Sequence, residues 1–210
     1  MTQPTSQVQG LPDFSRHITT HNSEGKAIFQ TPDPDNPTTE AVATAPAPPI
    51  STIPTWTNFP GATGAFGLGY ATPTLQADFN KDADLGTYYK YLHEHPPVVI
   101  QGGTVFRVVD MAPGSSSPMH RTVSLDYGVV LEGEVELELD SGERRRMPRG
   151  DIFVQRGTAH RWHNVSDKQP ARLLAVQLDS QPIVMEGTGE ELAEDFDVPA
   201  AQPVTHTSEG

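Results

Sequence analysis

The sequence predicts an all-β fold, a small antiparallel barrel behind an extended arm that carries short strands, and three observations carry that expectation. The first is the run Glu134-Val-Glu-Leu-Glu-Leu-Asp140, in which Val135, Leu137 and Leu139 share one face and the four acids the other. Alternation with period two marks a half-buried strand. The second is the spacing of turn signals: Asp140-Ser-Gly142-Glu143, Pro148-Arg-Gly-Asp151 and Arg156-Gly-Thr-Ala159 leave only strand-length segments between them. The third is composition, with 20 Pro and 18 Gly among 210 residues and only 35% hydrophobic residues, which suits a turn-rich β protein with loose ends.

Taken in order, residues 1–12 are polar and expected to be disordered, and 13–97 form the arm. Within it, two candidate strands flank Asn22-Ser-Glu-Gly25, with Ile18, Ile28 and Phe29 as apolar contacts. The Pro-, Ala- and Thr-rich stretch up to Pro60 reads as extended chain wrapping the barrel, pinned by Ile53, Trp56 and Phe59, with an added strand there to cover a sheet edge. Gly61 to Gly69 is expected to be a flexible loop; its glycine spacing lacks the preceding strand and following helix of a dinucleotide fingerprint. Tyr88 to His95 reads as one helical turn or an extended rim, stopped by Pro96-Pro97. The barrel is expected over 98–180, opening with Val98–Met111 and closing with Ala171–Leu178. A three-residue loop at Gly142 that turns Met147 inward sets Arg144 opposite Asp140 and Arg146 opposite Glu138. Residues 181–210 form an extension and tail, in which Thr188-Gly-Glu-Glu191 has the spacing of a helix-capping box.

The residues with chemistry lie in the barrel. His120, Thr122 and Asp126 are evenly spaced and share a face if the intervening turn preserves parity, while His160 enters from a neighbouring strand. Two histidines and a carboxylate make the facial triad that suits Fe(II) and also accepts Mn, Ni or Zn; the alternative is a metal-free pocket with polar walls. Trp162 faces the same way as His160, as an aromatic wall or as core, and Tyr127, Phe106 and Phe153 carry the same two readings. Arg107, inside an apolar strand, anchors a substrate carboxylate or phenolate, or snorkels to the surface. His163, three residues from His160, points to the opposite face. His93 and His95 are solvated or gate the rim, and His17 and His21 are structural or exposed. Ser115-Ser-Ser117 lacks the context of a nucleophile and belongs to a turn.

A net charge of −13 argues against nucleic acid, whose binding depends on Lys and Arg, and against an anionic membrane surface. The absence of cysteine excludes disulfides, thiolate metal sites and cysteine nucleophiles. No leader or membrane-length apolar run is visible, so a cytoplasmic protein is expected.

The segment 98–180 resembles a single-domain cupin, a double-stranded β-helix or jelly-roll barrel. Gly114, His120, Thr122, Asp126 and Gly133 stand in the spacing of the first cupin motif, with Thr122 replacing its second histidine and Asp126 its glutamate. Gly150, Gly157, His160 and Asn164 match the second, with Gln155-Arg156 in place of its Pro-x pair. His120 to Gly133, Gly150 to Asn164 and Arg16 to Ala27 are also similar to a subfamily found in fungal secondary-metabolite gene clusters. That resemblance implies a homodimer and a metal-dependent oxidoreductase acting on an aromatic or polyketide intermediate. It places His120, Asp126 and His160 on the metal and His120 and His160 at the chemistry, and the residue readings above add Trp162, Thr122, Arg107 and Tyr127 around the substrate. A non-redox lyase (decarboxylase, dehydratase or isomerase) and a metal-free ligand-binding barrel are the alternatives.

Overall fold

The alternating segments pair as two facing antiparallel sheets in the computed structural model, which describes residues 6–30 and 56–195. In chain order the elements are β1 (Thr19–His21), β2 (Ala27–Phe29), β3 (Trp56–Asn58), β4 (Gly64–Thr72), α1 (Ala83–Glu94), β5 (Thr104–Met111), β6 (Ser124–Glu132), β7 (Glu134–Leu139), β8 (Arg144–Pro148), β9 (Ile152–Arg156), β10 (His160–Asn164), β11 (Ala171–Asp179), β12 (Ile183–Val184) and β13 (Glu191–Leu192). One layer runs β3-β4-β5-β11-β6-β9 and the other β10-β7-β8. Between them pack Met111, Val130, Val135, Met147, Ala171 and Leu173, drawn from both layers. This is the all-β jelly-roll barrel, and its inner face follows the period-two alternation read in β7. No helix among the described residues is long and apolar enough to cross a membrane.

Three local expectations change. The glycine-rich 61–69 segment is mostly strand: β4 lies inside the large sheet, between β3 and β5. Its glycines make room for rings, since a Cβ on Gly67 would stand 3.0 Å from Trp56 and one on Gly69 2.6 Å from Phe106. The Tyr88 segment is a three-turn helix rather than a single turn; Leu85 and Tyr88 are buried, and Tyr88 packs with Leu68, Ala71 and Val105. The capping-box segment forms the antiparallel hairpin β12–β13 instead of a helix, because the turn closes through Met185 N–H to the Glu190 carbonyl at 2.8 Å.

The β7–β8 hairpin turns Met147 inward as expected, but its register is two residues away from the one anticipated. Leu139 and Glu143 close the loop at 2.9 Å, so Arg144 stands opposite Glu138 and Arg146 opposite Glu136. Arg144 reaches Glu138 at 3.1 Å and Glu136 at 3.2 Å. At the other end of the chain, β1 and β2 pair around Asn22, whose side chain accepts from the backbone of Glu24 and Lys26 at 3.0 and 2.9 Å.

Residues 6–12, anticipated as loose, dock on the barrel. Gln7 Nε2 donates to the carbonyls of Phe59 (2.7 Å) and Gly64 (2.9 Å), and Arg172 Nη1 donates to Pro12 O at 2.7 Å. Arg172 also grips Asp110 through two bonds of 2.6 and 2.9 Å, both residues being buried. The Pro-rich wrap with Ile53, the first residues, the 198–210 tail and the His93 side chain lie outside the described residues.

Candidate functional site

Even-numbered positions of β6 and odd-numbered positions of β5 and β11 point between the sheets, and there they line a cavity of about 310 Å³. Its walls are mainly apolar, with Phe59, Phe66, Val109, Phe153, Trp162 and Leu173 among them. The polar groups sit in register across the large sheet: Asp126 is flanked by Gln155 on β9 and Gln177 on β11.

His120 and His160 meet at the small sheet. An antiparallel bridge joins their backbones at 2.8 and 2.9 Å, and their rings stand 4.2 Å apart between centroids, tilted by 50°. Each ring is turned by a local contact: Nδ1 of His120 donates to Pro118 O and Nδ1 of His160 to Thr158 O, both at 2.9 Å. A carbonyl only accepts, so in each neutral imidazole the lone pair resides on Nε2. Burial lowers both pKa values. For His160, burial and then the neighbouring His120 bring it down to about 3, so it is neutral at pH 7.

Asp126 is buried in the same cavity, where desolvation pushes its pKa up to about 6 against the opposing pull of a Ser124 hydrogen bond. Its Oδ1 is buried without a hydrogen-bond partner. Thr122 continues the line, its hydroxyl 2.8 Å from that of Ser124. Among the described residues no three His, Asp or Glu side chains gather as a metal-binding group. The two imidazoles converge, and Asp126 lines the same cavity, its carboxyl group hydrogen-bonded to a serine on its own strand and its Oδ1 without a partner.

A model of the cupin domain matches residues 107–177. Over 186 residues the chain is 42% identical to the Oryzines biosynthesis cluster protein J of Aspergillus oryzae, covering 88% of this chain and 94% of that protein. The chain belongs to the cupin family. This cupin is also 42% identical to the Phomopsin biosynthesis cluster protein D of Diaporthe leptostromiformis, over 82% of each chain. A third relative, the cupin-domain-containing oxidoreductase virC of Hypocrea virens, is 42% identical over 86% of this chain and 84% of its own.

The remaining anticipated residues of the cupin divide by the parity of their strands. Trp162 faces inward as a wall, 4.8 Å from the Phe153 ring and edge-on to His160 at 6.0 Å. Arg107 also turns inward and does not snorkel, being only 7% exposed. Tyr127 does not line the cavity; it lies between inward-facing Asp126 and Gly128, so it points out and is 48% exposed. His163 faces away from the cavity, held by Ser116 Oγ at its Nδ1 and Glu138 Oε2 at its Nε2, each at 2.6 Å. Ser115 and Ser117 bond to carbonyls of their own turn, Ala112 and Pro118. His95 is exposed at the end of α1, and His17 and His21 are exposed in the arm.

Sequence reasoning missed Ser124, Gln155 and Gln177. Their signal was present in the period-two spacing, since Ser124 lies between Thr122 and Asp126 on one face, Gln155 follows Phe153 and Gln177 follows Ala175 at inward positions.

Proposed function

We propose that this cupin is an oxidoreductase acting on an aromatic or polyketide-derived intermediate of secondary metabolism. The observation that carries the reading is the pair of neutral imidazoles, oriented through Nδ1, on the wall of an otherwise apolar cavity. The oxidoreductase and biosynthesis-cluster names of its relatives support it. A flat ring would lie between Trp162 of the small sheet and the apolar inner face of the large sheet, which excludes water from the reacting carbon. Without a metal, His120 and His160 accept from substrate hydroxyls through their Nε2 atoms, and Thr122 bonds to Ser124 beside Asp126.

The donor chemistry fits a divalent metal: two neutral imidazoles and a buried carboxyl group whose Oδ1 has no partner line one cavity. Fe(II), or Mn, Ni or Zn, would be held by His120, His160 and Asp126. Bound there, it would supply Lewis-acid or redox chemistry. The second reading is a non-redox lyase, favoured by Asp126, whose raised pKa near 6 suits proton transfer close to neutrality. The same reading includes a cytoplasmic homodimer; exposed Tyr127, Ile152 and Val154 on the outer face supply the apolar surface for a partner.

The test is turnover of the intermediate that accumulates when the gene is deleted, with elemental analysis of the same sample. His120→Ala and His160→Ala should each reduce turnover by at least about 100-fold. Turnover under strict anaerobiosis with no other oxidant would replace the oxidoreductase by the lyase. A metal-free sample whose His120→Ala variant remains fully active would leave neither, and a barrel that binds ligand without turnover would remain. Sedimentation as a monomer would remove the dimer.

A further inference from the structure

The chain buries two arginines in its barrel and treats them differently. Arg172 has its carboxylate: Asp110 accepts from Nε and Nη2. Arg107 has none. Its Nη2 donates to the carbonyls of Pro97 (2.7 Å) and Pro96 (3.3 Å), Phe66 lies 5.5 Å from its guanidinium carbon, and its Nε is buried without a partner. Among the described residues it makes no ion pair. Burial lowers its pKa only to about 10, so it is a cation at neutral pH. A desolvated guanidinium is costly unless an anion meets it, and the two carbonyls orient the group without neutralising it. It lines the same cavity as His120, His160 and Trp162, among Phe59, Phe66 and Val109.

We propose that Arg107 is the anion anchor of this cavity and that the natural ligand is an aromatic or polyketide-derived carboxylate. The carboxylate accepts from the guanidinium donors that the proline carbonyls leave unused. The apolar body of the acid then runs along Phe66 and Val109 toward Trp162 and the histidine pair. This rests on the cavity being the substrate site and narrows the substrate to an acid.

The experiment is calorimetric titration of the full chain with 2-naphthoate and, as the neutral match, methyl 2-naphthoate, before and after chelator treatment. The acid should bind at least about tenfold more tightly than the ester. Arg107→Gln should erase that preference while leaving ester affinity within about twofold, since only the charge-assisted bonds are lost. Arg107→Lys should weaken the acid by at least about threefold, because a point charge lacks the planar fork, and leave the ester unchanged. The Lys variant and the acid–ester comparison in the unaltered protein decide the matter if the Gln variant fails to fold. Equal binding of acid and ester, binding of neither at millimolar concentration, or a preference that survives Arg107→Gln would overturn the anchor. So would a preference that disappears on chelation, which would assign it to a metal. No turnover is read, so loss of the anchor leaves the oxidoreductase reading standing, and loss of turnover with acid preference intact does the reverse.

Discussion

Asp126 has one carboxylate oxygen bonded to Ser124 and the other buried with nothing to accept from, and its free energy follows from that asymmetry. Burial raises its pKa from 3.8 to about 6, so the folded chain holds a proton that the unfolded chain releases. In the metal-free protein its contribution is therefore greatest in acid and is lost as pH rises from about 4 to about 6. Asp126→Asn, which cannot ionise, should stabilise the metal-free protein at pH 7 by about 3 kcal/mol and give little gain at pH 4, as read from denaturant melts at the two pH values. A tightly bound cation would favour the ionised form and reverse the effect at pH 7. Arg144 is the contrast: half exposed and paired with Glu136 and Glu138, its replacement by Ala should cost less than about 1 kcal/mol.

Among the elements, the antiparallel pairing of β6 with β9 shapes the cavity wall. Gly128 stands opposite Phe153, and a Cβ there would come within 2.1 Å of that ring. Gly128→Ala must push Phe153 toward Trp162, with a cost of about 1–3 kcal/mol and weaker binding of any flat ligand. A melt together with naphthoate titration checks both effects. Much of this layer was legible beforehand, because alternation in Glu134–Asp140 and the turns that follow determine which side chains face in. β4 was not legible. A run of glycines looks like slack chain until the rings that occupy the vacated space are known, and Trp56 and Phe106 come from other strands. Tyr127 failed for the opposite reason: its type suggested a pocket, but parity with Asp126 sends it outward.

Across the whole molecule, Arg172 connects pieces far apart in sequence. It pairs with Asp110 from the neighbouring strand, donates to Pro12, and lies 4.6 Å from the Phe14 ring and 6.0 Å from that of Trp56. Arg172→Met would leave Asp110 buried and unpaired, which typically costs about 3–5 kcal/mol. Asp110→Asn with Arg172→Met should recover part of the loss, because no charge is then stranded, and the double-mutant cycle measures the coupling. The same variants should raise amide exchange around residues 12–14, whose contacts with Arg172 are lost, more than at Gln7, which keeps its bonds to Phe59 and Gly64.

The linear chain by itself determined the strand pattern, the turns, and the two motifs that bring His120 and His160 to one cavity, because period-two alternation and glycine turns act locally. Tertiary structure alone decided that Asp126 is buried in the histidine-lined cavity with one oxygen unpartnered, which raises its pKa. It also decided that Arg172 receives a carboxylate and Arg107 does not. Charge pairing is a matter of distance across strands, and no spacing along the sequence encodes it.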